Sequence, residues 1–457
     1  MALSGLEIYK LLPGSSKDPA EKAHANCKEC GYPTCLAFAM KLAAKQAELS
    51  SCPYVNAEAK AKLAAAATPP VRLITLSADG REVKAGNETV LFRHEKTFYN
   101  PAGVFVRVAD NMPADQIASL AKSVADYKVD YVGMALRIDG LAVDCVSGDA
   151  ATFASAVAAV AAATTIPMIL VSENPAVIEA GLTKTGGVTP LLCAATAANW
   201  EAMAVLAKAA KAPLVVRAES MPGLAELTEK LVAAGVEDLV LDLAVRDFGA
   251  SLSGMTQLRR LALKKNFRPL GYPMIAFPYL GTAEPGMEML LAGQQIAKYA
   301  GFVVLSRFDP AEVYPLLVLR ANLFTDPQKP IQVEPGIYEI NKPTADAPLL
   351  VTTNFSITYF AVANEMESSG MPAWLLVADA EGMSVLTAWA AGKFDAEKIA
   401  KSVKNTGIAD KISHRKVVIP GHVAVLMGEL EEELPGWQIK VGPREAVDLP
   451  RFLKTAW

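Results

Sequence analysis

Histidine is nearly absent from this chain, with His24, His94, His414 and His422 the only four among 457 residues. A site built on paired imidazoles is therefore excluded from the long stretch between His94 and His414. Charge is sparse too. Charged residues make up 20% of the chain, the formal net charge is −4, and no Lys/Arg cluster is present, which argues against a nucleic-acid surface. No GxGxxG run occurs, so no dinucleotide site is signalled. The opening MALSGLEIYKLL lacks the charged start and long apolar core of a secretion signal, and a cytoplasmic location is expected. One uncharged stretch, 150–171, is long enough to span a bilayer. Pro167 divides it into an Ala-rich helix and the start of a strand, so no membrane span is expected.

Apolar residues are plentiful at 52%, and the length exceeds what one core usually serves, so two or three domains are expected. Cysteine is scarce but unevenly placed. Four of the six fall within 26 positions, as Cys27, Cys30, Cys35 and Cys52 with the spacing C-x2-C-x4-C-x16-C. In a reducing compartment, clustered thiols point to metal or redox chemistry rather than to structural disulfides. Zinc ribbons usually present two C-x2-C knuckles, and this segment has one. Plant-type [2Fe–2S] ligands run in the opposite order, whereas Pro53 after the last cysteine matches the C-P ending of [4Fe–4S] runs. The spacing favours a [4Fe–4S] cluster, with zinc and redox thiols as the alternatives. Residues 36–49 have helical periodicity, and an unbroken helix from Cys35 to Cys52 would part the two thiols by about 25 Å. The helix must therefore end early, with Ser50–Pro53 as the return. Cys145 and Cys193 stand alone in apolar surroundings and read as small buried hydrophobes.

From residue 102 short apolar runs alternate with helical stretches. The runs lie at 104–108, 131–135, 168–171, 191–195, 214–218, 238–243, 274–278 and 302–306, with helices such as 114–127, 198–210, 223–234 and 285–299 after them. Eight such units predict a (β/α)8 barrel, preceded by small β-hairpins over 71–99. Polar residues at the ends of the runs are Asp110, Arg137, Asp139, Glu173, Asn174, Arg217, Glu219, Asp242, Arg246, Asp247 and Arg307. They show no metal-ligand spacing and no nucleophile–base pair, and rim ion pairs would produce the same pattern. A scaffold role is the expectation.

Five prolines between 326 and 348 mark a stiff, extended connection. Beyond it a second βα pattern predicts a small open parallel α/β domain, Rossmann-like, with strands at 349–354, 374–379, 416–421 and 437–443, and Ser356 as a helix cap. Ligands in such folds bind beyond the strand C-termini. The loops there are 352–356, 379–384, 419–422 and 442–446, rich in Gly, Thr and Ser and suited to a phosphate-bearing or amide-rich ligand. The expected division is 1–68, 69–328 and 329–457.

The order of thiol cluster, barrel, linker and small α/β domain resembles the large (gamma) subunit of the corrinoid iron–sulfur proteins of the acetyl-CoA synthase/decarbonylase system. LSGLEIYKLLP, NCKECGYPTCLAFAMKLA and SSCP are similar to the N-terminus of that family, and LLVTTNFSITYFAV and VGPREA to its C-terminal domain. One departure shows: GSSKDPAEKAHA lengthens the segment before Cys27 and is expected to extend a surface loop. The resemblance implies a [4Fe–4S] cluster on Cys27, Cys30, Cys35 and Cys52. It also implies a cobamide held by Thr352, Thr353, Asn354, Ser356, Asp379, Ala380, Glu381, Gly382, Met383, Gly421, Gly442, Pro443 and Ala446. The DxHxxG motif of many cobalamin domains is missing, which implies a base-off corrinoid; the nearest histidines are His414 and His422.

The implied function is methyl carriage. Co(I) would accept a methyl group from a methyl-tetrahydropterin through a methyltransferase and deliver it to the nickel site of acetyl-CoA synthase, the cluster restoring Co(I) after oxidation. Implied partners are a small subunit forming a heterodimer, the methyltetrahydropterin methyltransferase, acetyl-CoA synthase and a reductive activator, with no nucleic acid and no membrane. The linker 326–348 would act as the hinge. Rival readings are an iron–sulfur electron-transfer subunit without corrinoid, a methyltransferase whose barrel binds the pterin, and a zinc-stabilised scaffold.

Overall fold

The structure, a computed structural model, describes residues 4–44, 46–67, 69–326 and 331–457. Ser4 and Glu7 open the first helix, Gly5–Tyr9, as a reciprocal capping box. The helix Cys35–Ala43 is capped by the Thr34 hydroxyl and ends well before Cys52, after which a 3-10 turn, Leu49–Ser51, delivers Cys52. The chain doubles back, as the spacing of the thiols requires. Ile8, Leu12, Phe38, Ala39 and Val55 form the small core of this segment together with Cys35 and Cys52.

A hairpin of β1 (Ile74–Ala78) and β2 (Arg81–Ala85) follows, turning through Asp79 and Gly80, both at positive φ as a tight hairpin needs. The expected second hairpin at Gly86-Asn87 does not form. The Asn87 N–H bonds back to the Val71 carbonyl, and the Glu88 carboxylate takes the N–H groups of Tyr99 and Asn100.

The barrel strands are β3 (Gly103–Ala109), β6 (Gly140–Asp144), β7 (Met168–Val171), β8 (Leu191–Ala195), β9 (Leu214–Ala218), β10 (Leu239–Leu243), β11 (Met274–Ala276) and β12 (Ala300–Leu305). They close in sequence order into a parallel barrel. Nearly every strand residue is buried, because one face fills the barrel and the other carries helices. The interior is packed by Phe105, Ile169, Val215, Val240, Phe302 and Val304, with Ile74, Leu76, Val83 and Ala85 of the leading hairpin in the same cluster.

The second barrel strand is not at 131–135. Val132 and Gly133 have positive φ and form the turn of a tight hairpin, β4 (Lys128–Tyr131) and β5 (Met134–Arg137). The barrel strand starts after Asp139, whose N–H donates to Val104 O and whose carboxylate accepts from Val104 N and Arg320. The apolar letters of YVGMA therefore belong to another core.

That core lies in the second of two compact units. The first runs to Tyr127 and resumes at Ile138–Phe324; the second joins Lys128–Arg137 to Thr325–Trp457. In the second unit a five-stranded sheet has the order β13 (Gly336–Ile340), β15 (Ala373–Ala378), β14 (Leu349–Thr353), β16 (Lys416–Ile419), β17 (Gln438–Val441). All pairings are parallel except that of β13, an antiparallel edge strand. β13 comes from the stretch expected to be a stiff, extended connection. Val132, Val333, Ile340, Leu350, Met366 and Leu375 pack one face of the sheet. Part of the expected linker, Pro327–Pro330, lies outside the described residues. Among the described residues no helix is long and apolar enough to cross a membrane, and 150–163 is a packed helix as expected.

Candidate cofactor sites

The cysteine segment gathers its thiols by folding the chain around them. Cys27 is exposed in a loop where Asn26, Lys28 and Gly31 all have positive φ, Cys30 is half-buried, and Cys35 and Cys52 are buried. Burial pushes the Cys52 thiol pKa up. A backbone N–H at Tyr54 opposes this, and the charges of Cys30, Cys35 and Cys27 add to the rise. The other three thiols thus lie close enough to act on Cys52. Among the described residues they are gathered but not closed into a metal cage.

Their chemistry nevertheless fits a soft metal centre: four sulfur donors, three of them in one apolar cluster, with an N–H from Asn26 already directed at Cys35 Sγ. The stretch 14–25 is more than the surface loop expected. A Cβ on Gly14 would stand 2.7 Å from Cys35 Cβ, and His24 stacks on Tyr54 with ring centroids 3.7 Å apart. Tyr54 OH reaches both carboxylate oxygens of Glu29 at 2.8 Å, which raises the tyrosine pKa.

In the second unit a cleft of about 340 Å³ opens where the sheet order reverses. β14 neighbours β15 on one side and β16 on the other, and β14 and β16 are in register only at Leu350↔Val418. Their C-terminal ends then part. Such a switch point is where open α/β sheets bind ligands. The walls are aliphatic, from Leu350, Ile357, Val362, Leu386 and Ile419, and polar groups are few. Thr352 is fully buried and its Oγ1 has no hydrogen-bond partner, as is true of Thr353.

Of the cofactor residues expected from the sequence, Thr352, Gly442, Pro443 and Ala446 line the cleft. Gly421 braces it: its N–H donates to Pro443 O, and a Cβ there would meet Gly442 O at 2.5 Å. Thr353, Asn354, Ser356, Asp379, Ala380, Glu381, Gly382 and Met383 do not line it. Asn354 instead organises the next loop, its Oδ1 accepting the N–H groups of Ala380 and Gly382 at 2.9 Å and its Nδ2 donating to Asp379 at 3.2 Å. Glu381 pairs with Lys393 at 2.6 Å. Ser356 is not the helix cap, a position held by Phe355; its hydroxyl donates to Ile331 O.

Sequence reasoning missed Ile357, Leu386 and Leu449, because it searched the loops and these come from helix faces. It also left out Arg444, although that residue sits inside the loop it had chosen. His422 lines the cleft, whereas both ring nitrogens of His414 are engaged, Nε2 with Ala347 O and Nδ1 accepting from Lys416 N–H.

At the C-terminal end of the barrel the charged groups are spent on one another. Arg107 pairs with Asp144 at 2.6 Å; Arg217 pairs with Asp242 and Glu173; Arg246 pairs with the same buried Asp242. Cys193 lies beneath Arg217, and burial pushes its pKa up to about 12. Asp110 is consumed by the N–H groups of Val146 and Ser147 and by the Ser147 hydroxyl. These are rim ion pairs, the pattern the sequence allowed for.

The described fold and sites define a multi-unit α/β protein whose candidate cofactor sites lie outside its barrel. The family model described as "CO dehydrogenase/acetyl-CoA synthase delta subunit" matches residues 73–453, and one described as "Putative Fe-S cluster" matches 23–54. The chain is 44% identical over 454 residues to the corrinoid/iron–sulfur protein large subunit of Moorella thermoacetica, covering 99% of both chains. It is 35% identical to subunit gamma of the acetyl-CoA decarbonylase/synthase complex of Methanopyrus kandleri, covering 99% of this chain and 97% of that one. A solved dihydropteroate synthase of Yersinia pestis is similar at 15% identity and a TM-score of 0.38, over 54% of this chain and 98% of that one.

The first family description says delta and stops short of the cysteines, whereas the full-length relatives extend across them. The chain belongs to the family of corrinoid/iron–sulfur protein large subunits, the gamma subunits of acetyl-CoA decarbonylase/synthase.

Proposed function

We propose that the chain is a methyl carrier of the acetyl-CoA decarbonylase/synthase system, with a [4Fe–4S] cluster on Cys27, Cys30, Cys35 and Cys52 and a cobamide in the second unit. The observation that carries this reading is the cleft where β14 and β16 part, with a buried Thr352 hydroxyl that no protein group satisfies. When bound, the cofactors supply a cobalt centre that takes up and gives away a methyl group and a cluster that returns single electrons to it.

The protein's part is to hold and to leave open. Gly421 permits the loop 442–443 to close on β16, and the aliphatic walls keep the cleft dry. The family relatives' names give the corrinoid and the iron–sulfur group, and the thiol segment gives the second of these a donor set. No DxHxxG is present and both ring nitrogens of His414 are engaged, while His422 lines the cleft; the missing motif supports a base-off cofactor, which is easier to reduce. The proposed partners are the small subunit, a methyl-tetrahydropterin methyltransferase, acetyl-CoA synthase and a reductive activator, all cytoplasmic.

Much of the proline-rich stretch is built into the second unit: β13 is in the sheet, Val333 N–H donates to Asn354 O, and Ile331 O accepts from the Ser356 hydroxyl. Metal content and the visible spectrum of the protein purified without oxygen together with its small subunit test the reading. About four iron and one cobalt per chain, with a base-off corrinoid band, are expected. Iron without cobalt after reconstitution with cobamide would leave an electron-transfer subunit.

A further inference from the structure

Residues 14–25, where this chain departs from the family's opening, have no part in the methyl-carrier reading. The structure nevertheless folds them against the thiols at both ends. Gly14 is buried on Cys35, where a Cβ would stand 2.7 Å from Cys35 Cβ and 3.2 Å from its Sγ. The Gly14 carbonyl accepts from Tyr9 OH at 3.0 Å and from Lys22 Nζ at 2.8 Å, which ties the segment down at its start. Further along, two side chains reach the residues just after Cys52. The His24 ring stacks on Tyr54 with centroids 3.7 Å apart and 7° between the planes, and Glu21 Oε1 accepts from Asn56 Nδ2 at 2.6 Å. Tyr54 is also held by Glu29, which lies between Cys27 and Cys30.

Cys27, Cys30 and Cys35 share one loop and the start of one helix, whereas Cys52 arrives after that helix has ended. The only regular structure that delivers it is a single 3-10 turn, Leu49–Ser51, and such a turn is a weak anchor. Contacts made beyond Cys52 therefore decide where its thiol rests. We propose that residues 14–25 form a clasp that positions Cys52 as the fourth cluster ligand, with His24 and Glu21 as its positioning residues. The proposal rests on the cluster reading above. His24 acts through the flat face of its ring and Glu21 through an acceptor oxygen, so neither role needs a charge. With the clasp open, Cys52 is the donor whose hold on the metal loosens, because the other three thiols are carried together.

The test uses the full chain, loaded with its cluster without oxygen and treated with one equivalent of ferricyanide in the presence of iodoacetamide. Ferricyanide takes one electron and becomes ferrocyanide; a cluster that then sheds one iron as Fe(II) is left in a three-iron form with its own electron paramagnetic signal. Iodoacetamide alkylates a thiolate freed from the metal, and iodide leaves. His24→Ala and Glu21→Ala should accumulate the three-iron signal roughly fivefold faster than the wild type, the worth of one stacked pair or one charge-assisted hydrogen bond. The label should appear on Cys52 ahead of Cys27, Cys30 and Cys35. His24→Phe keeps the stack and Glu21→Gln keeps the acceptor, and both should match the wild type within about twofold. Alanine variants that fail to load iron while these two load it fully would support the clasp as fast loss does. Wild-type rates in both alanine variants, label spread evenly over the cluster cysteines, or His24→Phe losing iron as fast as His24→Ala would overturn the clasp and leave the cluster reading standing. A wild type that holds no iron after anaerobic reconstitution overturns both.

Discussion

Asn26 and Cys35 are tied to each other twice: the Asn26 N–H donates to Cys35 Sγ at 3.3 Å, and the Cys35 N–H donates to Asn26 Oδ1 at 2.8 Å. The pair closes the loop that carries Cys27 and Cys30 onto the first turn of the helix starting at Cys35. Asn26 also sits at φ +54°, a conformation that asparagine tolerates better than most residues. Asn26→Ala removes the acceptor and strains the backbone, a loss of about 1 kcal/mol from the closed loop. Iron release from the anaerobic protein to a chelator should quicken roughly fivefold, and Asn26→Asp, which keeps an acceptor, should restore most of the retention. Equal release rates in the wild type and Asn26→Ala would show that the pair does not hold the loop.

Asn354, one of the residues the resemblance assigns to the cofactor, organises the loop after β15. One carbonyl oxygen satisfies two backbone N–H groups, of Ala380 and Gly382, in a loop where Glu381 and Gly382 both have positive φ. Replacing Asn354 with Leu leaves the buried Ala380 amide without a partner, at a cost of about 2–3 kcal/mol. Hydrogen exchange should report this locally, with protection lost at Ala380 and Gly382 and retained along β15. Unaltered exchange at those two amides would mean that the loop is held by other contacts.

The hairpin β4–β5 joins the second unit even though the chain on either side of it belongs to the first. Val132 is buried there, Glu334 N–H donates to Val132 O, and a Cβ on Gly133 would stand 2.5 Å from Glu334 Cβ. A fragment beginning at Thr325 therefore lacks part of its own core. It should unfold at markedly lower urea than the same fragment supplied with residues 128–137, and Val132→Asp in the full chain should destabilise the second unit by about 3 kcal/mol or more. Matching urea midpoints for the two fragments would contradict this role.

The sequence made the repetitive features plain and concealed those that depend on distant partners. Seven of the eight barrel strands stand where apolar runs alternate with helices, since each run is buried on both faces. The eighth was misplaced because YVGMA has a strand's composition. What decides it is the positive φ at Val132-Gly133 together with the Asp139 carboxylate gripping Val104, and neither is visible in a local pattern. β13 hid in the same way among prolines. The thiol spacing alone required the early end of the helix at Ala43, because covalent reach is a local constraint. The cleft was legible at its strand ends, Thr352 and Gly442, and illegible on its helix faces, where Ile357 and Leu386 look like ordinary surface apolar residues.

Asp110 gives the barrel a pH dependence of known sign. Burial alone would raise the pKa of its carboxyl, but the Ser147 hydroxyl and the N–H groups of Ser147 and Val146 more than reverse this, and the pKa falls below its ordinary 3.8. A depressed carboxyl pKa stabilises the fold fully above that ordinary value, and the contribution fades as pH drops through the folded-state value. The stability gap between wild type and Asp110→Asn, about 1–3 kcal/mol by chemical denaturation, should hold from pH 7 to about pH 5 and shrink in stronger acid. A gap that widens on acidification would reverse the sign argued here.

Gly421 links the fold to the cleft most directly. Its φ is unremarkable, so what glycine provides is the absence of a Cβ, which lets the backbone at Gly442–Arg444 lie within van der Waals contact of the turn after β16. A methyl group there would stand 2.5 Å from Gly442 O and 2.8 Å from Pro443 C, which are backbone atoms that cannot rotate away. Gly421→Ala must push the 442–444 loop off β16 and break the pair of hydrogen bonds that hold it, at a cost of about 1–3 kcal/mol. Because that loop carries one wall of the cleft, the variant should lose cobalamin affinity. The sheet core around Ile399 and Val417 should keep its exchange protection. Corrinoid binding unchanged in Gly421→Ala would mean that the ligand does not occupy this cleft.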